Sequence, residues 1–271
     1  MLRISILAGL LGAGGVGAAW AGPVAYVGAT VHTAAGDPIP DGVLLVEDGR
    51  IVAVGPVSAV ELDPGLRTVD LRGKVVIPGL VDTHSHVGIF GRPIGPATRD
   101  GNEGSGPVQS GIRALDAINP AEPGVRMALA GGVTTANIMP GSGNVIGGQT
   151  VYVKFRGDTI EEMLLQTDRT RGGLKMANGE NPKRSYTEKK KAPQTRMKIM
   201  ALQREAFVAA RNYAARWQAY EDKRKAGDDT AKKPDRDLDM ESLNEVLDGA
   251  VAMAHAVPGL GSEFMPSLDE G

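Results

Sequence analysis

The sequence predicts an α/β protein with a small all-β part ahead of it, and three observations carry that reading. Residues 24–78 form short runs of alternating apolar and polar residues broken by Gly, Pro and Asp, the pattern of half-buried strands joined by tight turns. From Gly79 onward, buried-strand and helix patterns take turns, which argues for parallel α/β construction. The 271 residues are enough for one large or two modest domains with a real core.

The elements follow in order. The opening "MLRISILAGLLGAGGVGAAWAGP" has an early cation at Arg3, an apolar run over 4–16 and the small-x-small triplet Ala19-Trp20-Ala21. This is the order of a secretory signal peptide cleaved after Ala21, so residues 1–21 are expected to be a leader and the protein to be exported to the periplasm. The apolar run is short and glycine-rich for a membrane span. Asp48-Gly49, between the apolar runs 43–46 and 51–54, is a hairpin signal because both residues tolerate positive φ. A second pair of short strands, 67–71 and 74–77, is expected to bend at Gly73. Residues 22–78 therefore read as one small β part.

Beyond it, "GLVDTHSHVG" reads as a buried strand, "PAEPGVRMALAGG" as a helix with Pro123 near its start, and "GVTTANIMPG" as another buried strand. A glycine-rich loop at 140–149 leads to a strand at 151–157, a short helix around 159–166 and a short strand at 174–177. The clearest helix spans about 195–226, where Met200, Phe207, Val208, Ala214, Trp217 and Tyr220 recur near helical spacing. That stripe is read as a packing face. Residues 223–237 mix charges with Gly and Pro and are expected to be a solvated loop. A short helix, "MESLNEVLDG", follows, and 258–271 is expected to be an irregular tail.

Composition narrows the partners. Thirty Lys and Arg against 32 Asp and Glu give a formal charge of -2, so no electrostatic argument exists for nucleic acid or an anionic membrane as partner. A small-molecule substrate is expected, with self-association left open. There is no cysteine, so disulfides and thiolate metal sites are excluded. A transition-metal site here must draw on His, carboxylates or a modified Lys.

The chemistry concentrates in "VVIPGLVDTHSHVG", residues 75–88. Alternation along a strand puts His84 and His86 on one face about 6 to 7 Å apart, close enough to converge on one ion. Asp82 shares that face and is placed to orient a ligand imidazole. The bland alternative is a pair of strand-end histidines bonded to backbone. The loop "PGSGNVIGGQ" lacks the Gly-Lys-Ser/Thr ending of a phosphate cradle. Its Asn144 and Gln149 are candidate substrate contacts through their amides, with turn-making as the alternative.

The series "GRIVAVG", "VVIPGLVDTHSH" and "AGGVTT" resembles the amidohydrolase superfamily, in imidazolonepropionase-like and exported members. The resemblance implies a β-sandwich-like domain followed by a metal-dependent TIM-type (β/α)8 barrel, with His84 and His86 ending its first strand. It further implies a divalent ion, commonly zinc, and hydrolysis of a non-peptide C–N bond in an amide, cyclic amide or amidine. A third ligand in many relatives is a carboxylated Lys or a Glu at a later strand end. Glu180 in "NGENPKR" is the preferred candidate, with Lys175 and Lys154 as alternatives. His255, in "VAMAHAVPG", falls where a fifth strand is expected and is the candidate for a further ligand.

The same resemblance implies another histidine ligand and an essential aspartate on later strands. Only four histidines are present, and the stretch after residue 78 is shorter than the about 250 residues of a complete barrel. Residues 79–257 are therefore expected to be the N-terminal portion of such a barrel, with a helical insertion at about 195–226 and with the catalytic aspartate absent. The expected behaviour is weak activity or none. The alternatives are a non-catalytic metal-binding or assembly module and a truncated gene product.

Overall fold

The computed structural model describes residues 22–165 and 172–256. The leader expected over 1–21 and the tail expected over 258–271 lie outside these residues. The chain divides into two compact units at Pro78, the boundary read from the change in pattern.

In the first unit, β1 (Val24–Val31), β2 (Ile39–Glu47) and β3 (Arg50–Pro56) form an antiparallel meander. Asp48 and Gly49 turn β2 into β3 with φ of 48° and 71°, the left-handed pair that a two-residue hairpin needs. Ala25, Ala29, Val31 and Val43 are the buried apolar side chains.

The second hairpin expected here is not formed. β4 (Arg67–Asp70) and β5 (Val75–Val76) both pair with β1 in parallel, instead of with each other. The Asp70 carboxylate accepts from the backbone and guanidinium of Arg72, and Gly73 turns with φ 74°. The chain is thus redirected along β1 without folding back on β4. Among the described residues the unit is one sheet, in the order β3-β2-β1-β4 with β5 also on β1, and a facing second sheet of a sandwich is not seen.

The second unit opens with β6 (Leu80–Ser85), which pairs in parallel with β7 (Val133–Ile138). Between them lies α1 (Pro123–Ala130), with proline at its first position, where the missing N–H costs nothing. The link after β7, 139–145, is too short for a crossover, which takes a dozen or more residues. The chain therefore returns antiparallel as β8 (Ile146–Gln149) and β9 (Val151–Lys154), with only Thr150 between them. β9 pairs with β7, and β8 pairs with β10 (Gly173–Ala177). β11 (Ala252–Ala256) adds to β10 in parallel.

The described strands thus make two three-stranded sheets, β6-β7-β9 and β8-β10-β11. The expected run of uniformly parallel strands is broken at β8 and β9, and no closed barrel is formed among the described residues.

α2 (Ile160–Met163) is held by a capping box between Thr159 and Glu162. α3 (Glu180–Glu188) starts within "NGENPKR", the stretch that follows β10. α4 (Arg196–Lys225) forms the helix read over about 195–226, with Thr195 as its cap. α5 (Leu238–Leu247) is capped by Asp237, whose carboxylate accepts from the backbone of Asp239 and Met240.

α4 buries Ile199, Gln203, Ala206, Phe207, Ala210 and Tyr213, whereas Val208 faces water. With Leu243 of α5, this face covers Leu174 and Met176 of β10 and Ile146 of β8. A second cluster joins Val125 of α1 to Ala136 and Ile138 of β7 and Val153 of β9. α5 is also tied to the segment before β8, where Asp239 Oδ1 accepts from Ser110 Oγ at 2.9 Å and Gly111 N at 2.6 Å. No helix among the described residues is long and apolar enough to cross a membrane.

Candidate metal centre

The site is built where the C-terminal ends of β6 and β7 come near the middle of β10. β6 and β7 are paired Asp82 with Ala136 and then Ser85 with Ile138, so β6 spends one extra residue over that interval. This bulge breaks simple alternation, and bulges re-aim side chains. The Asp82 carboxylate accepts from the backbone N of His84 at 3.0 Å. Asp82 therefore holds the backbone of the bulge, whereas alternation had placed it to orient an imidazole.

The two imidazoles do converge. Their ring centroids lie 5.3 Å apart and edge to face. His86 Nδ1 is 2.7 Å from the carbonyl oxygen of Met139, the residue after β7. A carbonyl only accepts, so Nδ1 carries the proton and Nε2 keeps its lone pair, the state a metal ligand needs. Phe90 packs against the same ring at 5.6 Å.

Lys175 completes the group. It sits in the middle of β10, on the face opposite Leu174 and Met176, which pack in the α4 core. Its side chain is 1% exposed. Nζ lies 3.1 Å from His84 Nε2 and 3.3 Å from Met139 Sδ, and no ion pair to it is formed among the described residues. Burial lowers its pKa from 10.5 to about 8, because desolvation penalises the charged form. Burial likewise holds both imidazoles below their usual value, with the Lys175 charge adding to the effect. The three nitrogen bases are thus biased toward their unprotonated forms, as a cation site requires.

The other candidates are placed differently. Glu180 opens α3 on the exposed surface, and no described hydrogen bond or ion pair joins it to His84, His86 or Lys175. His255 lies on β11, its backbone in register with Met176. Lys154 ends β9 opposite Thr135, half-buried.

Asn144 is 2% exposed, and its Nδ2 donates to the carbonyls of Glu103 at 2.7 Å and Gly106 at 2.8 Å. Its amide fastens the loop, which is the turn-making role. Gln149 ends β8 half-buried, with its backbone N donating to Ile112 O. The glycines of the loop serve packing. A Cβ on Gly141 or Gly143 would lie 2.5 to 2.7 Å from the Asn102 amide.

Among the described residues no three His, Cys, Asp or Glu side chains come together. The third group at the pair is a lysine. Its sequence signal is a single charge inside the otherwise buried strand "GLKMA", which has no reason to stay there unless its amine is used.

Comparison with known proteins places these features in context. No family model matches the chain. An amidohydrolase of Hapsidospora irregularis, tasK, is 34% identical over 223 residues, which are 78% of this chain and 22% of that protein. An imidazolonepropionase of Rhizobium rhizogenes is 32% identical over 127 residues, 41% of this chain and 31% of its own length. The crystal structure of an amidohydrolase from Thermotoga maritima superposes with a TM-score of 0.74 at 39% identity, covering 85% of this chain and 57% of that one. The chain thus spans about a fifth to a third of these curated relatives.

Proposed function

This chain belongs to the amidohydrolase superfamily, and we propose that His84, His86 and Lys175 form its part of a metal centre that hydrolyses a non-peptide C–N bond. The bond class is that of an amide, cyclic amide or amidine. The observation that carries the proposal is the buried Lys175 amine, 3.1 Å from His84 Nε2 and without a carboxylate partner among the described residues. A structural lysine in such a place would be paired.

The donor set suits a divalent ion. His86 presents Nε2 because Nδ1 is spent on Met139 O, and His84 presents Nε2 toward the same side as Lys175. An ammonium at Lys175 would repel a cation. With a pKa brought down to about 8, the amine is accessible near neutral pH in its uncharged form, which can take up carbon dioxide. A nitrogen–carbon bond forms, a proton leaves, and a cation becomes a carboxylate-bearing ligand. Lys175 thereby replaces Glu180 as the proposed third ligand.

A divalent ion held there, zinc as the family suggests, supplies a Lewis acid and a bound water ionisable near neutral pH. The chain's own part is to hold two neutral imidazoles and a buried amine in fixed relation. The bulge at Asp82 aims His84, and the Met139 carbonyl fixes the tautomer of His86.

Metal content per chain is the deciding measurement, on wild type, His84→Ala with His86→Ala, and Lys175→Met. The proposal expects metal in the wild type, its loss in the double variant, and a mass increase of one carbon dioxide that Lys175→Met abolishes. Unchanged metal content in the double variant refutes the ligand assignment. Hydrolysis assays over amides, lactams and amidines test the activity, and metal retained without turnover of any of them refutes catalysis while keeping the site.

A further inference from the structure

The charged segment after α4 folds back along the helix. Lys233 Nζ lies over the Trp217 ring, 5.6 Å from its centroid, and the Asp237 backbone N donates to the Tyr213 hydroxyl at 3.4 Å. Between α4 and this returning segment lies a cleft of about 620 Å³, a size that suits a small molecule. Gln203 of α4 donates to Asn178 Oδ1, just past β10. Arg216 in the cleft wall is 13 positions further along α4, about 20 Å at 1.5 Å per residue. The cleft is therefore a different place from the one proposed for the metal.

Its walls carry Arg216, Lys223, Lys232, Lys233 and Arg236 against Asp235 and Asp237. Part of this charge is spent. Arg236 donates to both carboxylate oxygens of Glu241, at 2.7 and 2.6 Å, and Lys223 attracts Asp228. The Asp237 carboxylate accepts from the backbone at the start of α5. Arg216, Lys232 and Lys233 form no ion pair or hydrogen bond among the described residues, and in the walls Asp235 is left to offset them.

Two of these cations are seated on rings. The Arg216 guanidinium lies 5.8 Å from the Tyr213 centroid and Lys233 lies over Trp217, and the two rings are 6.1 Å apart. Tyr213 is itself held, its hydroxyl donating to Glu241 Oε1 at 3.2 Å. A ring face attracts a cation without accepting its N–H groups, whereas a carboxylate would consume them. The indole N–H of Trp217 is likewise buried without an acceptor among the described residues. Neighbouring cations with unspent donors suit an oxygen-rich anion of more than one charge. Phosphate groups meet this better than a carboxylate, since each offers more oxygens and more charge to guanidinium and ammonium.

We propose that this cleft binds a small anion bearing two or more phosphate groups, held between Arg216 on α4 and Lys232 and Lys233 on the returning segment. The site is separate from the proposed hydrolytic centre and stands whether or not that centre is catalytic.

The test is binding. Inorganic pyrophosphate, phosphate and sulfate are titrated into the full chain by calorimetry at equal ionic strength. Pyrophosphate is expected to bind at least about tenfold tighter than the other two. Arg216→Gln and Lys233→Gln are each expected to weaken it about fivefold, and together by more than tenfold. Both side chains are exposed, and circular dichroism checks that the variants fold. Trp217 and Trp20 are the two tryptophans, so Trp217 emission read in a Trp20→Phe chain is expected to change as pyrophosphate engages Lys233.

Equal affinity for pyrophosphate and sulfate overturns the proposal, as does affinity that survives the paired Arg216 and Lys233 substitutions. Affinity lost in His84→Ala with His86→Ala also overturns it, because the anion then sits at the proposed metal centre. A decathymidine oligonucleotide binding through Arg216 and Lys233 more than tenfold tighter than pyrophosphate overturns the ligand class in favour of single-stranded nucleic acid.

Discussion

Replacing Lys175 by Met isolates the physical oddity on which the proposed metal centre rests. The change keeps an unbranched side chain of similar reach and removes the buried amine. In metal-free, carbonate-free protein the amine is a burden. Its pKa falls from 10.5 to about 8, which at ~1.4 kcal/mol per pH unit amounts to a ceiling of about 3 kcal/mol against the charged form.

Below pH 8 the folded and unfolded states both carry the ammonium, so the folded state bears that cost in full. Between about 8 and 10.5 the unfolded state binds more protons, and stability rises with pH. Above 10.5 both states are neutral and the cost is gone. The Lys175→Met variant bears no such cost at any pH.

Against this gain stands the lost contact to His84 Nε2, worth about 1 kcal/mol. His84 is an exposed residue, so water takes up part of that loss. Lys175→Met is therefore expected to stabilise the chain by about 2 kcal/mol at pH 7. Most of the gain should vanish by pH 10. Urea unfolding of both proteins at the two pH values, with chelator present, gives the result. Destabilisation at pH 7, or a gain equal at both pH values, refutes the picture of a desolvated and unpaired amine.

Three other outcomes are expected. Gly148→Ala should cost about 2 kcal/mol or more in urea unfolding, because φ is 110° and a Cβ would lie 2.6 Å from the Ile112 carbonyl oxygen. Asp239→Ala should cost about 1 to 3 kcal/mol by the same measurement, since it frees Gly111 N and removes one of the two acceptors of the buried Ser110 hydroxyl. If the leader reading is right, N-terminal sequencing of the secreted or periplasmic protein should begin at Gly22, and an intact Met1 start would overturn it.

The sequence made the local features legible. Asp48-Gly49 requires a left-handed pair and forms the hairpin it predicts. The helix read at about 195–226 matches α4 within a residue at each end, because thirty residues of helical periodicity and a threonine cap leave little freedom. Pro78-Gly79 marks both the change in pattern and the boundary between units. His84 and His86 were singled out by type and spacing alone, and their rings do meet. The phase of α4 was less legible, since Val208 shares the apolar character of Phe207 and yet faces water.

What pairs with what could not be read. β4 and β5 read as a hairpin, but both joined β1, since strand patterns state which face is apolar and not which neighbour will cover it. β8 lies inside the segment read as a glycine-rich loop, and β9, read as a strand of a parallel run, was turned antiparallel by the short link after β7. Asp82 shared a face with the histidines on paper, and a bulge reassigned it to backbone.

The same limit governs the proposed metal centre. The sequence by itself determined that any transition-metal site must do without thiolates and that His84 and His86 are its first candidates. Only the tertiary structure decided that Lys175, 91 positions from His84, is the group beside it, while Glu180 stands on the surface. The reason is physical. Two histidines two residues apart are kept close by the chain itself, whereas a third group depends on which strand lies beside them and how deeply it is buried.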